Sequence, residues 1–574
     1  MTTTTPETTK RKWEDKLTPL YGPEEAAAIV TKTQALLDSY WDKKSTNTPE
    51  KTWLSEKDVM LITYGDQIRE PGEKPLASLH SFLNRYVSDI VSAVHILPFY
   101  PYSSDDGFSV IDYYSIDPAL GGWEDVRGLS SDYSLMFDAV INHISAKSTW
   151  FEGYLHGDAR YRNYFIEGDP NEDYSSVTRP RATPLLHPFE TAEGTKHLWT
   201  TFSDDQLDLN ENKDVLLHIL DVLLFYVSQG ARFLRLDAIG FLWKKLGTSS
   251  IHLQETHTIV QFYREMLELY APETIIITET NVPHKDNISY FGNGSNEAHL
   301  VYQFPLPPLT LHAFHTGQAA TLLDWASDLE PTTEQTTFFN FLASHDGIGV
   351  VPAKGYLTEA DIEGMAEKVK ENGGFVSYKR NSDGSESPYE LNISYIDALT
   401  SPQETDDTRV DRFIAAQSIM LSMMGMPGIY IHSLLGSVSD RKGALKAGQN
   451  RTINREKLER SSLEEELTNE EHLRHRVFER YKHMLAIRTA EPCFHPNAAQ
   501  KVLRLNHSVF SIQRTNEESN ESILCLVNIS ASPQQLTIGA ASWQELITDT
   551  TYEAESGSLS IELAPYQTMW LKKH

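Results

Sequence analysis

The sequence predicts an α/β protein: a (β/α)8 barrel with inserted lid subdomains and a C-terminal all-β domain. Three observations predict it. Eight short apolar runs, each followed by a helical stretch, recur between residues 59 and 436. Two long polar interruptions follow the third and seventh runs. Past residue 497 the helices stop and short alternating strands follow one another. Runs apolar on both faces and separated by helices are the pattern of buried parallel strands, and eight such units close a barrel. A doubly wound open sheet is the alternative that this pattern allows.

Taken in order, residues 1–10 are Thr-rich and read as disordered, and residues 23–42 carry apolar positions at helical spacing. Residues 1–55 are therefore expected to form an N-terminal helical extension. The eight runs are VMLITYGD (59–66), AVHILPFYP (93–101), LMFDAVINH (135–143), ARFLRLDAI (231–239), TIIITET (274–280), HLVYQF (299–304), TTFFNFLASHD (336–346) and GIYIHSLLG (428–436). They divide the barrel into parts at 56–146, 214–351 and 401–496. Residues 147–213 read as a subdomain over the barrel mouth, and 352–400 as a second insertion with a Gly/Ser-rich loop. Loops after barrel strands face the rim where barrel chemistry sits, so both insertions are candidate lids. In 497–574, SVFSIQR, SILCLVNIS, QQLTIG and QTMWLKK alternate as strands of a small β domain. The acidic stretch 454–475 reads as a solvated helical region.

Composition narrows the function. The chain has 574 residues, 40% hydrophobic and 10% aromatic, as a folded globular protein does. Its formal net charge of −30 argues against nucleic acid and anionic membranes as partners. An anionic substrate would need local arginines to override that field. Cys493 and Cys525 form no metal or redox motif and read as reduced thiols. No apolar signal core and no run of 18 apolar residues is present, so a soluble cytoplasmic protein is expected.

The chemistry is expected where carboxylates end strands. Asp237 ends the fourth run, Glu279 the fifth and Asp346 the seventh. A charge there is costly unless paired or used. Three carboxylates round one pocket suit glycoside chemistry, in which one attacks the anomeric carbon, one protonates the leaving oxygen and one holds hydroxyls. The nucleophile and acid of a retaining enzyme lie about 5–5.5 Å apart, a spacing that neighbouring strand ends supply. Arg235 precedes Asp237 by two residues, so both side chains point the same way. His143 and His345 also end strands.

LMFDAVINH, ARFLRLDAI, TIIITET and FLASHDG resemble the four conserved segments of the α-amylase superfamily. LITYGDQI, HILPFYPYSSDDGFSVIDY, RPR at 179–181, TTFSDDQLDLN, PLPPLTLHA, SHDGIG and NRTINR resemble its sucrose phosphorylase branch. The resemblance covers about residues 55–574. It implies retaining transfer of glucose to phosphate, with Asp237 as nucleophile, Glu279 as acid/base and Asp346 as transition-state stabiliser. Asp105, His143, Arg235 and His345 would bind the glucosyl unit. Phe108, Phe202, Gln206 and Phe241 would wall its pocket, with Arg451 nearby. Two positions depart from sucrose phosphorylases. Asn281 stands where they carry histidine, and Glu390, after Tyr389, where they carry glutamine. RPRATPLLHPFE and ETNVPHKDNISYFG are instead similar to the glucosylglycerate phosphorylases of the branch.

On the acceptor side, Arg179 and Arg181 on the lid would contact phosphate or glycerate. Asn281 and Lys285 would meet the glycerate end, Tyr389 marks a mobile loop, and Glu390 would accept from acceptor hydroxyls. No cofactor or metal is expected. Asn142 lies where some amylases bind calcium, without a recognisable ligand set around it. Small molecules are the expected partners, with a homodimer as the candidate assembly. The competing readings are sucrose or sucrose 6F-phosphate phosphorylase, an α-glucoside hydrolase or transglucosidase, and a non-catalytic protein on the same barrel.

Overall fold

Eight parallel strands close into one barrel in this computed structural model, which describes residues 5–41, 53–181, 183–381, 385–554 and 557–573. The strands are β1 (Met60–Thr63), β2 (Ala93–Ile96), β3 (Ser134–Ala139), β4 (Ala231–Leu236), β5 (Ile275–Thr278), β6 (Leu300–Tyr302), β7 (Thr337–Asn340) and β8 (Met426–Tyr430). Each pairs with its neighbours in sequence, and β8 closes on β1. The predicted eight runs are these eight strands. They are strands because their apolar residues are buried on both faces, inward and toward the helices.

Register places the ends of β4 and β5 together. Leu236 pairs with Thr278, and the Glu279 N–H donates to the Leu236 carbonyl at 3.1 Å. Asp237 and Glu279 are the next residue on each strand, so they leave the barrel side by side.

The N-terminus departs from the reading of residues 1–10 as disordered. A helix runs Glu7–Tyr21, and Pro23–Trp41 follows it as a second. Trp13 and Leu17 are fully buried, with Trp13 edge-on to Phe262 at 5.5 Å. Lys16 pairs with Glu265 at 2.6 Å. Contact with the barrel helix Gln254–Tyr270 orders a segment whose own threonines favour no helix. Residues 1–4 lie outside the described residues.

The first insertion holds a helix, Thr149–Leu155, and an antiparallel pair, Leu186–Thr191 with Gly194–Trp199. The second is not the loop its glycines and serines suggest. Phe375–Arg380 and Glu386–Asn392 form a hairpin that joins Ile348–Gly349 in a three-stranded sheet, over the helix Glu359–Glu371. FVSYKR and ESPYELN carry enough β-formers to pair with each other.

The C-terminal region is a six-stranded antiparallel sheet with a two-stranded one, around Val509, Leu524, Leu526, Leu536 and Ile561. It abuts the N-terminal end of the barrel, where buried Arg514 of the sheet reaches across to Ser422 and buried Arg488 ties the barrel segments beneath. Arg488 donates to the carbonyls of Leu421, Glu56, Gly425 and Phe494, and Arg514 to those of Ser422, His495 and Ala498. Both cysteines are buried and free. Among the described residues no helix is long and apolar enough to cross a membrane.

Candidate active site

A cavity of about 370 Å³ opens at the C-terminal ends of the barrel strands, a volume suited to a small ligand. Asp237, Glu279 and Asp346 all line it. Beneath them one guanidinium organises two of the three. Arg235 NH1 lies 2.7 Å from Asp237 Oδ1 and 2.5 Å from Asp138 Oδ1, and NH2 lies 4.0 Å from Glu279 Oε2. Its Nε donates to Tyr302 Oη at 3.1 Å. Asp138 is fully buried and is bonded on its other oxygen by His95 Nε2 at 2.6 Å. The two-residue spacing of Arg235 and Asp237 thus does what strand geometry requires. Arg235 itself does not line the cavity, however. It holds carboxylates from below, rather than reaching the glucosyl unit.

The electrostatics separate the three acids. Burial pushes the Asp237 carboxyl up to about 8, opposed by Arg235 and reinforced by Glu279. Burial likewise pushes Glu279 up, opposed by Arg235 and reinforced by Asp346. Two carboxyls raised in one site titrate as a pair. The 2.7 Å contact favours the negative charge on Asp237, which makes Glu279, 4.0 Å from the same guanidinium, the better seat for a proton. Ala238 sits in the left-handed region at φ 48°, and its N–H donates to Glu279 Oε2 at 3.0 Å. That strain, ~1–2 kcal/mol, is spent fixing the acid. Burial also opposes the charge on Asp346. Arg451 NH1 at 2.6 Å outweighs it and holds Asp346 well below the usual carboxylate range.

The rest of the inner wall is built from a turn after β2. Asp105 and Asp106 adopt φ of 54° and 47°, conformations that aspartate tolerates. Gly107 follows at φ 113°, where a Cβ would stand 2.7 Å from the Pro98 carbonyl. The turn lays Phe108 flat on His345, with ring centres 4.8 Å apart. Burial lowers His345 to about 3, so its ring is neutral. His143 is also lowered by burial, and its Nε2 lies 2.8 Å from the Phe108 carbonyl oxygen. Gln206 donates to Asp105 Oδ2 at 3.3 Å, and Phe202 packs edge-on against Phe241 at 5.5 Å. Asp105, Phe108, His143, Phe202, Gln206, Phe241 and His345 all line the cavity.

On the outer side Arg179, Arg181, Asn281 and Tyr389 line the cavity as expected from sequence. Two assignments are corrected. Lys285 is exposed on the short helix His284–Ile288 and does not line the cavity, because one turn of helix carries it outward. Glu390 is 2% exposed and grips Arg451, with Nε–Oε1 at 3.0 Å and NH2–Oε2 at 2.6 Å. It positions that arginine and does not face an acceptor. Asn142 accepts from the Lys244 ammonium at 2.7 Å, so a lysine cation takes up its side-chain oxygen.

Lys379, His252 and Asp286 line the cavity without having been read from sequence. His252 holds φ 54° and bonds Tyr290 Oη through Nδ1 at 2.8 Å. No motif marks it. Lys379 depends on a bulge. The hairpin register steps from Ser377↔Glu390 to Tyr378↔Pro388, leaving Tyr389 as the extra residue. A bulge inverts which side chains share a face, and strict alternation read from sequence does not contain that step.

The α-amylase catalytic domain model matches residues 84–356, and the maltogenic amylase C-terminal domain model matches 501–570. The glucosylglycerate phosphorylase of Spirochaeta thermophila is 48% identical over 96% of this chain and 97% of its own. That of Escherichia coli is 46% identical over 98% and 100%. The crystal structure of sucrose 6F-phosphate phosphorylase from Thermoanaerobacter thermosaccharolyticum superposes with a TM-score of 0.72 at 23% identity, covering 83% of this chain and 94% of that one. The chain therefore belongs to the α-amylase family, alongside the glucosylglycerate phosphorylases that it matches over nearly its full length.

Proposed function

We propose that this chain is a retaining phosphorylase that transfers glucose from 2-O-α-D-glucosyl-D-glycerate to inorganic phosphate, giving α-D-glucose 1-phosphate and D-glycerate. The observation that carries the reading is the pair Asp237 and Glu279, side by side over Arg235, with Asp237 at 2.7 Å from the guanidinium and Glu279 at 4.0 Å. Asp237 attacks the anomeric carbon. Glu279 gives its proton to the bridging oxygen, and glycerate leaves. The product of this half is a β-glucosyl ester on Asp237. Dihydrogen phosphate then attacks the same carbon from the other face and returns a proton to Glu279, and the Asp237 carboxylate is restored.

Asp346, kept ionised by Arg451, accepts from glucose hydroxyls as the ring flattens. Asp105, His143 and His345 bind the glucosyl unit, and Phe108, Phe202, Gln206 and Phe241 shape its pocket. Arg179 and Arg181 favour an anionic acceptor over water. The two insertions exclude bulk water from the ester. The setting proposed is the cytoplasm, with small molecules and neither nucleic acid nor membrane as partners.

The test is to supply glucosylglycerate and phosphate and measure glucose 1-phosphate against free glucose. Stoichiometric glucose 1-phosphate is expected. Free glucose alone would mean a hydrolase. Running glucose 1-phosphate against D-glycerate, glycerol, fructose and fructose 6-phosphate identifies the acceptor, and D-glycerate is expected to release the most phosphate.

A further inference from the structure

The cavity divides its charges by origin. Besides Asp105 and Asp286, its carboxylates Asp237, Glu279 and Asp346 come from barrel strand ends; of its cations Arg451 is paired to Asp346 and Glu390, while Arg179, Arg181 and Lys379 come from the two insertions. Among the described residues none of those three cations forms an ion pair, although the chain holds 80 acidic residues against 50 basic ones. Arg179 donates only to the Thr183 carbonyl, and its Nε has no partner. The Lys379 ammonium has no hydrogen-bond partner among the described residues, and the residue is partly buried. Burial, and then the nearby Lys354, lower its ammonium below its ordinary value. An ammonium that is partly desolvated, repelled by a second lysine and free of any carboxylate is stabilised when an anion arrives. The bulge at Tyr389 supports the same conclusion. It is the one irregularity in the hairpin's register, and both Tyr389 and Lys379 line the cavity.

We propose that Lys379 is a specificity-determining residue of the acceptor half of this site, binding anionic oxygens, carboxylate or phosphate, from the second insertion as Arg179 and Arg181 do from the first. The inference deepens the phosphorylase reading and rests on it. It also gives the second insertion a defined task. The first insertion alone leaves an acceptor anion held from one lid, and Lys379 ties it to the other. Closure then depends on the acceptor's charge as well as its shape.

The experiment uses α-glucosyl fluoride as donor, which carries no anion of its own, with wild type and Lys379→Met. Transfer is followed separately to D-glycerate, to inorganic phosphate and to glycerol. The half-saturating concentration of glycerate, phosphate or both is expected to rise about ten- to a hundredfold, the worth of one charge-assisted contact. That rise should exceed any change for glycerol by at least about tenfold. A rise for glycerate alone assigns Lys379 to the carboxylate, for phosphate alone to the attacking anion, and for both to a shared subsite. Lys379→Arg, which keeps the charge, is expected to stay within about threefold of wild type. If neither anion's value moves in Lys379→Met, or glycerol transfer falls in step, the inference is overturned and the phosphorylase reading stands. A wild type that transfers glucose only to water overturns both.

Discussion

The two ends of the barrel bury arginine in opposite ways. At the C-terminal end Arg235, Arg451 and Arg455 each face carboxylates: Asp138 and Asp237, Asp346 and Glu390, and Asp106. Burial opposes their charge, yet these acids raise Arg235 and Arg451 well above the ordinary value. At the N-terminal end Arg488 and Arg514 meet only backbone carbonyls. Burial lowers them to about 9 and about 10; Arg514 lowers Arg488 further, and the acids and thiols nearby offset the burial only in part. The difference teaches what each end is for. Carboxylate partners can exchange an arginine contact for a bond to a substrate, so the upper network is poised for reaction. Carbonyl partners cannot leave, so the lower network is structural: Arg488 straps the barrel's own segments, and Arg514 straps the C-terminal sheet to them.

Perturbing each end should therefore produce different losses. The largest belongs to Asp237→Asn, expected to lower turnover by about 10⁴-fold or more while the protein stays folded. Steady-state rates beside a thermal melt check it, and a large drop in melting temperature would mean that the upper network also holds the fold. Glu279→Gln is expected to lose about 10²–10⁴-fold on glucosylglycerate. On α-glucosyl fluoride, whose leaving group needs no proton, glucosyl-enzyme formation should fall far less. Equal losses on the two donors would contradict the acid role. Wild-type activity on the glucoside should decline as pH rises and Glu279 gives up its proton, and the variant's fluoride reaction should lack that limb.

At the other end, Arg488→Met strands four carbonyls and is expected to cost at least about 3 kcal/mol. Urea unfolding measures this, and KM should be unaltered in the folded fraction. His345 sharpens the comparison through pH. Its folded value, about 3, lies below that of an unfolded histidine, so the unfolded chain binds the extra proton. Its contribution is present above about pH 6.5 and is lost as pH falls toward 3, with a slope of at most about 1.4 kcal/mol per unit. His345→Gln should flatten acid unfolding by one proton. The smallest effect is expected for Lys285→Ala. Its exposure predicts less than a twofold change in any acceptor's KM, and a larger one would restore it to the acceptor side.

Legibility in sequence follows how local the cause is. The eight strands could be read because each is a contiguous apolar run, and Asp237, Glu279 and Asp346 because each ends one. The pairing of Arg235 with Asp237 follows from strand alternation alone. Lys285 misled because its distance from Glu279 ignores the helical turn at His284–Ile288. Glu390 misled because its neighbour Tyr389 does face the cavity, and the bulge that leaves Tyr389 unpaired is invisible without the partner strand. The helix from Glu7 was missed because what orders it is Phe262 and Glu265, some 250 residues away in sequence.

The sequence by itself determined the barrel, the order of its strands and the three acids at its rim. Hydrophobic period and strand alternation are properties of neighbouring residues, and they survive without a fold. Only the tertiary structure decided which acid lies against Arg235, which arginines are paired and which lysine lines the cavity. Those depend on distances between residues far apart in the chain, where a few ångströms separate an ion pair from a free charge.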